Sequence, residues 1–96
     1  MHNNGMEYVF SAKIWYSEWY FVSLPKDMSK EIRENLKCFE EGWGRLKIAA
    51  KIGDSEWRTA IWFDTKQETY LLPIKAEIRK RERIRDNDEV TVTLWV

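Results

Sequence analysis

A chain of 96 residues with 44% apolar content has room for one hydrophobic core and not two, and that content excludes disorder over its bulk. Its 16 basic and 16 acidic side chains cancel, so no overall field draws it to nucleic acid or an anionic membrane, and an electrostatic partner must be read by a local patch. Cys38 is the single cysteine, which excludes an intrachain disulfide and fits a reducing, cytoplasmic setting.

The chain opens on Met1-His2-Asn3-Asn4-Gly5, a polar stretch without the apolar run of a signal peptide. Residues 1–6 are expected to form a frayed tail. Tyr8, Phe10, Ala12 and Ile14 then alternate with Val9, Ser11, Lys13 and Trp15, the period of a half-buried strand. A short strand, residues 19–22, ends at Leu24-Pro25, because proline cannot donate to a ladder. Ser29 has the character of a helix N-cap, with Ile32, Leu36 and Phe39 at helical spacing and Gly42 as the stop. After Gly42-Trp43-Gly44, Leu46, Ile48, Ala50 and Ile52 mark the inward face of a strand that turns at Gly53-Asp54. Trp57, Thr59, Ile61 and Phe63 begin the next strand, and residues 69–72 form a short one stopped by Pro73. A helix over 75–83 carries Ile78, closed by packing of Ile74 and Ile84. A turn at Asp86-Asn87-Asp88 leads into the last strand, with Val90, Val92, Leu94 and Val96 inward. No apolar stretch is long enough to span a bilayer, so no membrane partner is expected.

The second half repeats the first. Residues 10–15 match 57–62 at an offset of 47 (15 to 62), and Leu24-Pro25 matches Leu72-Pro73 at 48. Glu31-Ile32-Arg33 matches Glu77-Ile78-Arg79 at 46, and the faces ending in Ile52 and Val96 match at 44. The order is kept and the drift falls in turns, where insertions are tolerated. One domain, 1–96, mostly β with two short helices, therefore consists of two β-β-turn-α-β repeats, about 8–52 and 57–96. Neither half can bury both faces of its strands, whereas two halves about a pseudo-twofold axis can close a barrel and hide each other's edges.

At this point the chain resembles a small family catalogued as a domain of unknown function, whose members are sometimes joined to a domain described as bacteriocin-protection or OmpD-associated. The resemblance runs from Tyr8 to Leu94. It rests on Phe10-x-Ala12-x-Ile14-Trp15, Trp19-x-Phe21-Val22-x-Leu24-Pro25, Gly42-Trp43-Gly44, Tyr70-x-Leu72-Pro73-Ile74-Lys75-x-x-Ile78-Arg79 and Asp88-x-Val90-x-Val92-x-Leu94. Two places depart from the family's habit. Asn87-Asp88 stands where a Gly-Asp turn is usual, and Asn tolerates the left-handed backbone that glycine would supply. Ala60-Ile61-Trp62-Phe63 replaces a Ser-Leu-Phe-Pro-like stretch, which puts any site using that serine in doubt. The resemblance implies a double-split, pseudo-dimeric β-barrel and no activity.

No constellation for chemistry stands out. His2, the single histidine, lies in the polar tail, far from the rigid pairing that nucleophilic catalysis needs. A zinc site needs about four ligands where Cys38 and His2 are all the chain has, so no metal is expected. Cys38 reads as a small buried hydrophobe beside Phe39, Gly42-x-Gly44 as a tight turn, Asp86-x-Asp88-Glu89 as a solvated turn, and Glu40-Glu41 as surface residues at a helix end. Two features remain. Residues 75–85 hold six basic side chains against Glu77 and Glu82, and on a helix Lys75, Arg79 and Arg83 share one face. Such a face is either a solvated helix with internal pairs such as Glu77–Arg81 or an anion patch. Trp15, Trp62 and Trp95 alternate away from the core, to be covered by the helices or left as an aromatic groove, while Trp57 belongs inside.

The leading expectation is a non-enzymatic binding or interaction module without a cofactor, at sites drawn from Trp15, Trp62, Trp95, Lys75, Arg79 and Arg83. Its partner is left open between a small ligand, a protein and a nucleic acid. The alternative is nucleic-acid binding through 75–85 and the outward aromatics, and an enzyme of unknown type comes third.

Overall fold

The computed structural model describes residues 6–96, the side chain of Trp43 excepted; His2 and the rest of 1–5 lie outside the described residues. Seven strands form one antiparallel sheet: β1 (Glu7–Lys13), β2 (Trp15–Tyr16), β3 (Tyr20–Ser23), β4 (Arg45–Ile52), β5 (Ser55–Asp64), β6 (Thr69–Pro73) and β7 (Glu89–Trp95). Helix α1 (Lys26–Leu36) follows β3, and α2 (Ala76–Arg81) follows β6. The strand order is β1-β7-β4-β5-β6-β3-β2. Its two ends, β1 and β2, are consecutive in the chain with Ile14 alone between them, so the sheet has to curl until its ends approach, and it forms a half-barrel.

Ile14 is the joint. It is fully buried, its N–H donates to the Asp88 carbonyl at 2.8 Å, and its carbonyl accepts from Asn87 N–H at 3.2 Å. Before it the strand pairs with β7; after it, with β3. The single strand expected over 8–15 is therefore two, using opposite partners. Asn87 adopts φ 71°, the left-handed conformation expected of it in place of glycine. Met6, assigned to the frayed tail, accepts a hydrogen bond from Val96 N–H at 3.0 Å and packs on the core.

Inward positions of every long strand meet in one core: Phe10 and Ile14, Leu46 and Ile48, Trp57 and Ile61, Tyr70 and Leu72, Val90 and Val92. The helices close it with Ile32 and Leu36 of α1 and Ile78 of α2, flanked by Ile74 and the half-buried Ile84. Trp57 is 8% exposed, in the core as its alternation requires.

The helix boundaries differ from the sequence reading. Pro25 occupies the N-cap of α1, which starts at Lys26, not after Ser29. Proline suits that place because the first helical donors need no intrahelical partner. Ser29 lies inside the first turn, fully buried, where its Oγ accepts Tyr70 N–H at 3.0 Å and ties α1 to β6. The helix ends at Leu36, and 3₁₀ turns at Lys37–Phe39 and Gly42–Gly44 carry the chain to β4. Phe39 and Cys38 are consequently exposed, not buried. Gly44 has φ 72°, and a Cβ there would lie 3.2 Å from the Phe63 Cβ, so this turn needs its glycine.

Candidate functional site

Three regions bear on function, two foreseen from the sequence and one not. The first is the outer face of the sheet. Cα pairing puts Trp62, Leu71 and Ser23 in one row across β5, β6 and β3. Pro73, Phe21 and Trp15 form the next row across β6, β3 and β2. Trp15 donates its Nε1–H to Ser23 Oγ at 3.0 Å, and its ring centroid lies 5.0 Å from that of Phe21. Trp62 is 38% exposed, with the Arg45 guanidinium 5.5 Å from its ring. Ser23, Phe21 and Arg45 are all strand residues. Trp95 shares the face but stands apart, in the row Trp95–Ala49–Arg58, with its Nε1–H donated to Glu7 Oε1 at 2.9 Å. The structure thus brings Trp15 and Trp62 together around Leu71 and Phe21, and leaves Trp95 outside the group.

The second region, 75–85, does not present the expected face. Only Ala76–Arg81 is helical. Lys75 is the extended N-cap, and Arg83 follows the helix end at φ 56°, so the i, i+4 relation of Lys75, Arg79 and Arg83 is lost. Arg79 lies with its guanidinium 3.9 Å from the Tyr20 ring centroid and donates Nε–H to the Ile74 carbonyl at 3.1 Å. Glu77 takes Lys75 at 3.5 Å and Arg81 at 3.0 Å, the internal pairing that marks a solvated helix.

The third is a groove of about 780 Å³ between α1 and the β5–β6 hairpin, lined by Lys26, Lys30, Arg33 and Lys37 on one side and Phe63 and Thr65 on the other. Two of its lining residues, Arg33 and Phe63, belong to a polar cluster that continues beneath the surface. Arg33 Nη1 donates to Glu40 Oε2 at 3.4 Å, and its guanidinium carbon sits 3.9 Å from the Phe63 ring centroid. Tyr70 meets Phe63 edge-on at 5.2 Å and donates its hydroxyl to the same Glu40 oxygen. The Glu40 side chain is 8% exposed, so it is no surface residue, and its charge is matched by the arginine and the phenol. Burial, then the hydrogen bond to the Glu40 carboxylate, pushes the Tyr70 phenol upward from its ordinary value. Sequence reasoning missed this cluster, since Glu40, Phe63 and Tyr70 adjoin only in the fold.

A second phenol behaves alike. Tyr8 donates to Glu31 Oε2 at 3.0 Å, and burial with that bond pushes it up to about 12. Both folded phenols hold their protons more tightly than the unfolded chain does. Their contribution is therefore complete below about pH 10, the ordinary tyrosine value, and is lost as pH rises toward and through 12. Chemical denaturation at a series of alkaline pH values should show that decline, reduced in Tyr8→Phe. A flat profile to pH 12 contradicts it.

Among the described residues no group of three or more His, Cys, Asp or Glu side chains is placed to hold a metal ion, and no helix is long and apolar enough to cross a membrane. No curated protein matches the chain. Residues 10–94, from β1 into β7, match a family description instead. That span carries the curled sheet, both helices, the aromatic rows and the groove, and by it the chain belongs to the family described as "Domain of unknown function (DUF1905)".

Proposed function

We propose that the chain is a binding module, not an enzyme, built as a double-split, pseudo-twofold barrel, and that a protein partner docks on its aromatic sheet face. The strand registers support the twofold. Ala50 pairs with Leu94, its own counterpart at an offset of 44, and Ile52 pairs with Val92, the counterpart of Ile48. Ser23 pairs with Leu71, its counterpart at 48, and Val22 with Leu72, the counterpart of Leu24. A ladder crossed by a twofold axis has this form. For the first strand of each half the ladders favour an offset of 49 over 47. Phe10 pairs with Val92 as Thr59 pairs with Ile48, and Trp15 with Phe21 as Asp64 with Thr69.

That alignment sets Lys13 opposite Trp62 and Asp64 opposite Trp15, so the tryptophans are not relics of the repeat. Trp15, Phe21, Trp62, Leu71 and Pro73, contiguous and partly open on one side, are the observation that carries the reading. An open apolar face of this kind suits a protein surface better than a small molecule, which a concavity would enclose. The Arg33–Glu40–Tyr70 cluster argues against acid–base work, because its groups satisfy one another and its phenol moves away from neutrality. The exposed Cys38 thiol accords with a reducing, cytoplasmic compartment.

A photoreactive side chain at Leu71 should form a discrete adduct in cell extract. Unlabelled wild-type protein should compete it away, and Leu71→Glu should not. The same probe at Lys51, exposed on that sheet face but off the two rows, should form none. Equal labelling at both places, or full competition by Leu71→Glu, removes the reading.

A further inference from the structure

We infer that the groove along α1 binds a chain of phosphates, whether inorganic polyphosphate or the backbone of a single-stranded nucleic acid. The helix has three separate sides. Ile32, Leu36 and Ser29 face the core, and Asp27, Glu31 and Glu34 lie on the flank next to the basic row, with Asp27 and Glu34 at the groove edge. Lys26, Lys30 and Arg33 sit at i, i+4 and i+7 of α1, within an arc of about 60° and about 6 and 4.5 Å apart along the axis, and Lys37, in the 3₁₀ turn that follows, lines the same groove. A row of near-even positive charge matches a ligand with one negative charge per repeating unit.

The row has a cost. Lys26 and Lys30 are like charges at i, i+4, which weaken a helix. Among the described residues Lys26, Lys30 and Lys37 have no carboxylate oxygen within 4.0 Å, although Glu34 is four residues from Lys30. Arg33 differs from them: Glu40, nine-tenths buried, and the Phe63 ring hold its guanidinium in place at the groove wall. One held cation among three without an ion pair is a preorganised anchor with adaptable contacts on both sides.

Asp27 and Glu34 on the helix flank and Glu68 on the hairpin also border the groove, and they weaken the pull on any single anion. A ligand must therefore engage several cations at once, which selects a chain of phosphates over orthophosphate. Because Arg33 covers the Phe63 face, bases find no platform there, and recognition is of the backbone alone.

The test is a titration of the full chain with medium-length polyphosphate, oligo-dT, oligo-dA and orthophosphate at several salt concentrations. The polymers should bind, dT and dA alike, and orthophosphate should not. For the oligonucleotides the slope of log K against log salt should be about −2 to −3, as three or four contacts at about 0.7 each give. Lys26→Gln, Lys30→Gln and Lys37→Gln should each flatten it by about 0.7 without lowering the melting temperature. Lys75→Gln with Arg83→Gln should leave it alone. Arg33→Gln should weaken binding most, but it disturbs Glu40, so the lysine variants decide. Lysine-sensitive binding of polyphosphate only, or of oligonucleotide only, keeps the site and fixes the source of the phosphates. No binding at low salt, binding indifferent to the three lysines, or equal loss from the α2-segment variants overturns the inference.

Discussion

Trp57→Ala should lower stability by about 3–5 kcal/mol, the range for emptying a large core side chain, whereas Trp62→Ala should cost on the order of 1 kcal/mol. The two residues are five apart on β5 and point to opposite sides of it. Trp57 pairs with Ala50 on the inner face, among Phe10, Leu94 and Val92, and a cavity there is closed only in part. The loss is a large share of the ~5–15 kcal/mol that a domain commands. At about 4–8 °C per kcal/mol, the melting temperature should fall by roughly 12–40 °C or the fold should be lost. Trp62, 38% exposed, gives up its approach to Arg45 and its place beside Leu71 on the outer face. Thermal melts followed by far-UV circular dichroism separate the outcomes without relying on tryptophan emission. If Trp62→Ala proves as damaging as Trp57→Ala, the outer rows are structural and the partner-binding face loses its support.

The second large effect is expected at Glu40. Its carboxylate serves both the Tyr70 hydroxyl and Arg33, so Glu40→Ala strands a buried phenol and leaves a guanidinium against an aromatic ring. Removing one partner of a buried polar set exacts the desolvation of what remains, on the order of 2–3 kcal/mol here, since Arg33 can still reach water. Glu40→Gln keeps an acceptor for the phenol and should cost about 1 kcal/mol. In a Tyr70→Phe background the alanine change should cost less than in the wild type, because the stranded hydroxyl is already gone. Strict additivity of the two changes contradicts a shared cluster. A spectroscopic titration of the phenols gives a second reading: without the carboxylate, Tyr70 should ionise nearer its ordinary value.

Much of this fold could be read from periodicity alone. Alternation placed β4, β5 and β7 with the correct face inward, and Gly53, at φ 58°, turns the chain where Gly53-Asp54 signalled. The break at Ile14 left no such mark, because the pattern Phe10, Ala12, Ile14 runs on unaltered while the partner changes from β7 to β3. Side-chain period reports the face, not the edge. The start of α1 was obscured by its chemistry. Pro25 supplies no capping oxygen, whereas Ser29, a good cap by type, is spent on Tyr70 N–H across the sheet. Beginning the helix four residues late hid Lys26 from the stripe it shares with Lys30, Arg33 and Lys37. Those spacings are present in the sequence, and a start just after Pro25 would have brought them out. The Glu40 cluster had no sequence signal, since its partner Tyr70 is 30 residues away.

The continuity of β1 and β2 through Ile14 also governs how the chain can fold during synthesis. Glu7 pairs with Trp95, so β1 waits for a partner 88 residues further along the chain (95 minus 7) before this edge is filled. At about 5–20 residues per second that interval is roughly 4–18 s. Meanwhile the β4–β5 hairpin can form from neighbours, while Tyr8, Phe10 and Ala12 have no sheet to enter. Closure joins strands at wide sequence separation, which places the domain among slow folders. The nascent β1, with an apolar face and an unfilled edge, is then the segment of this domain for a ribosome-associated chaperone to shield, and the one through which neighbouring nascent copies of the domain would entangle first.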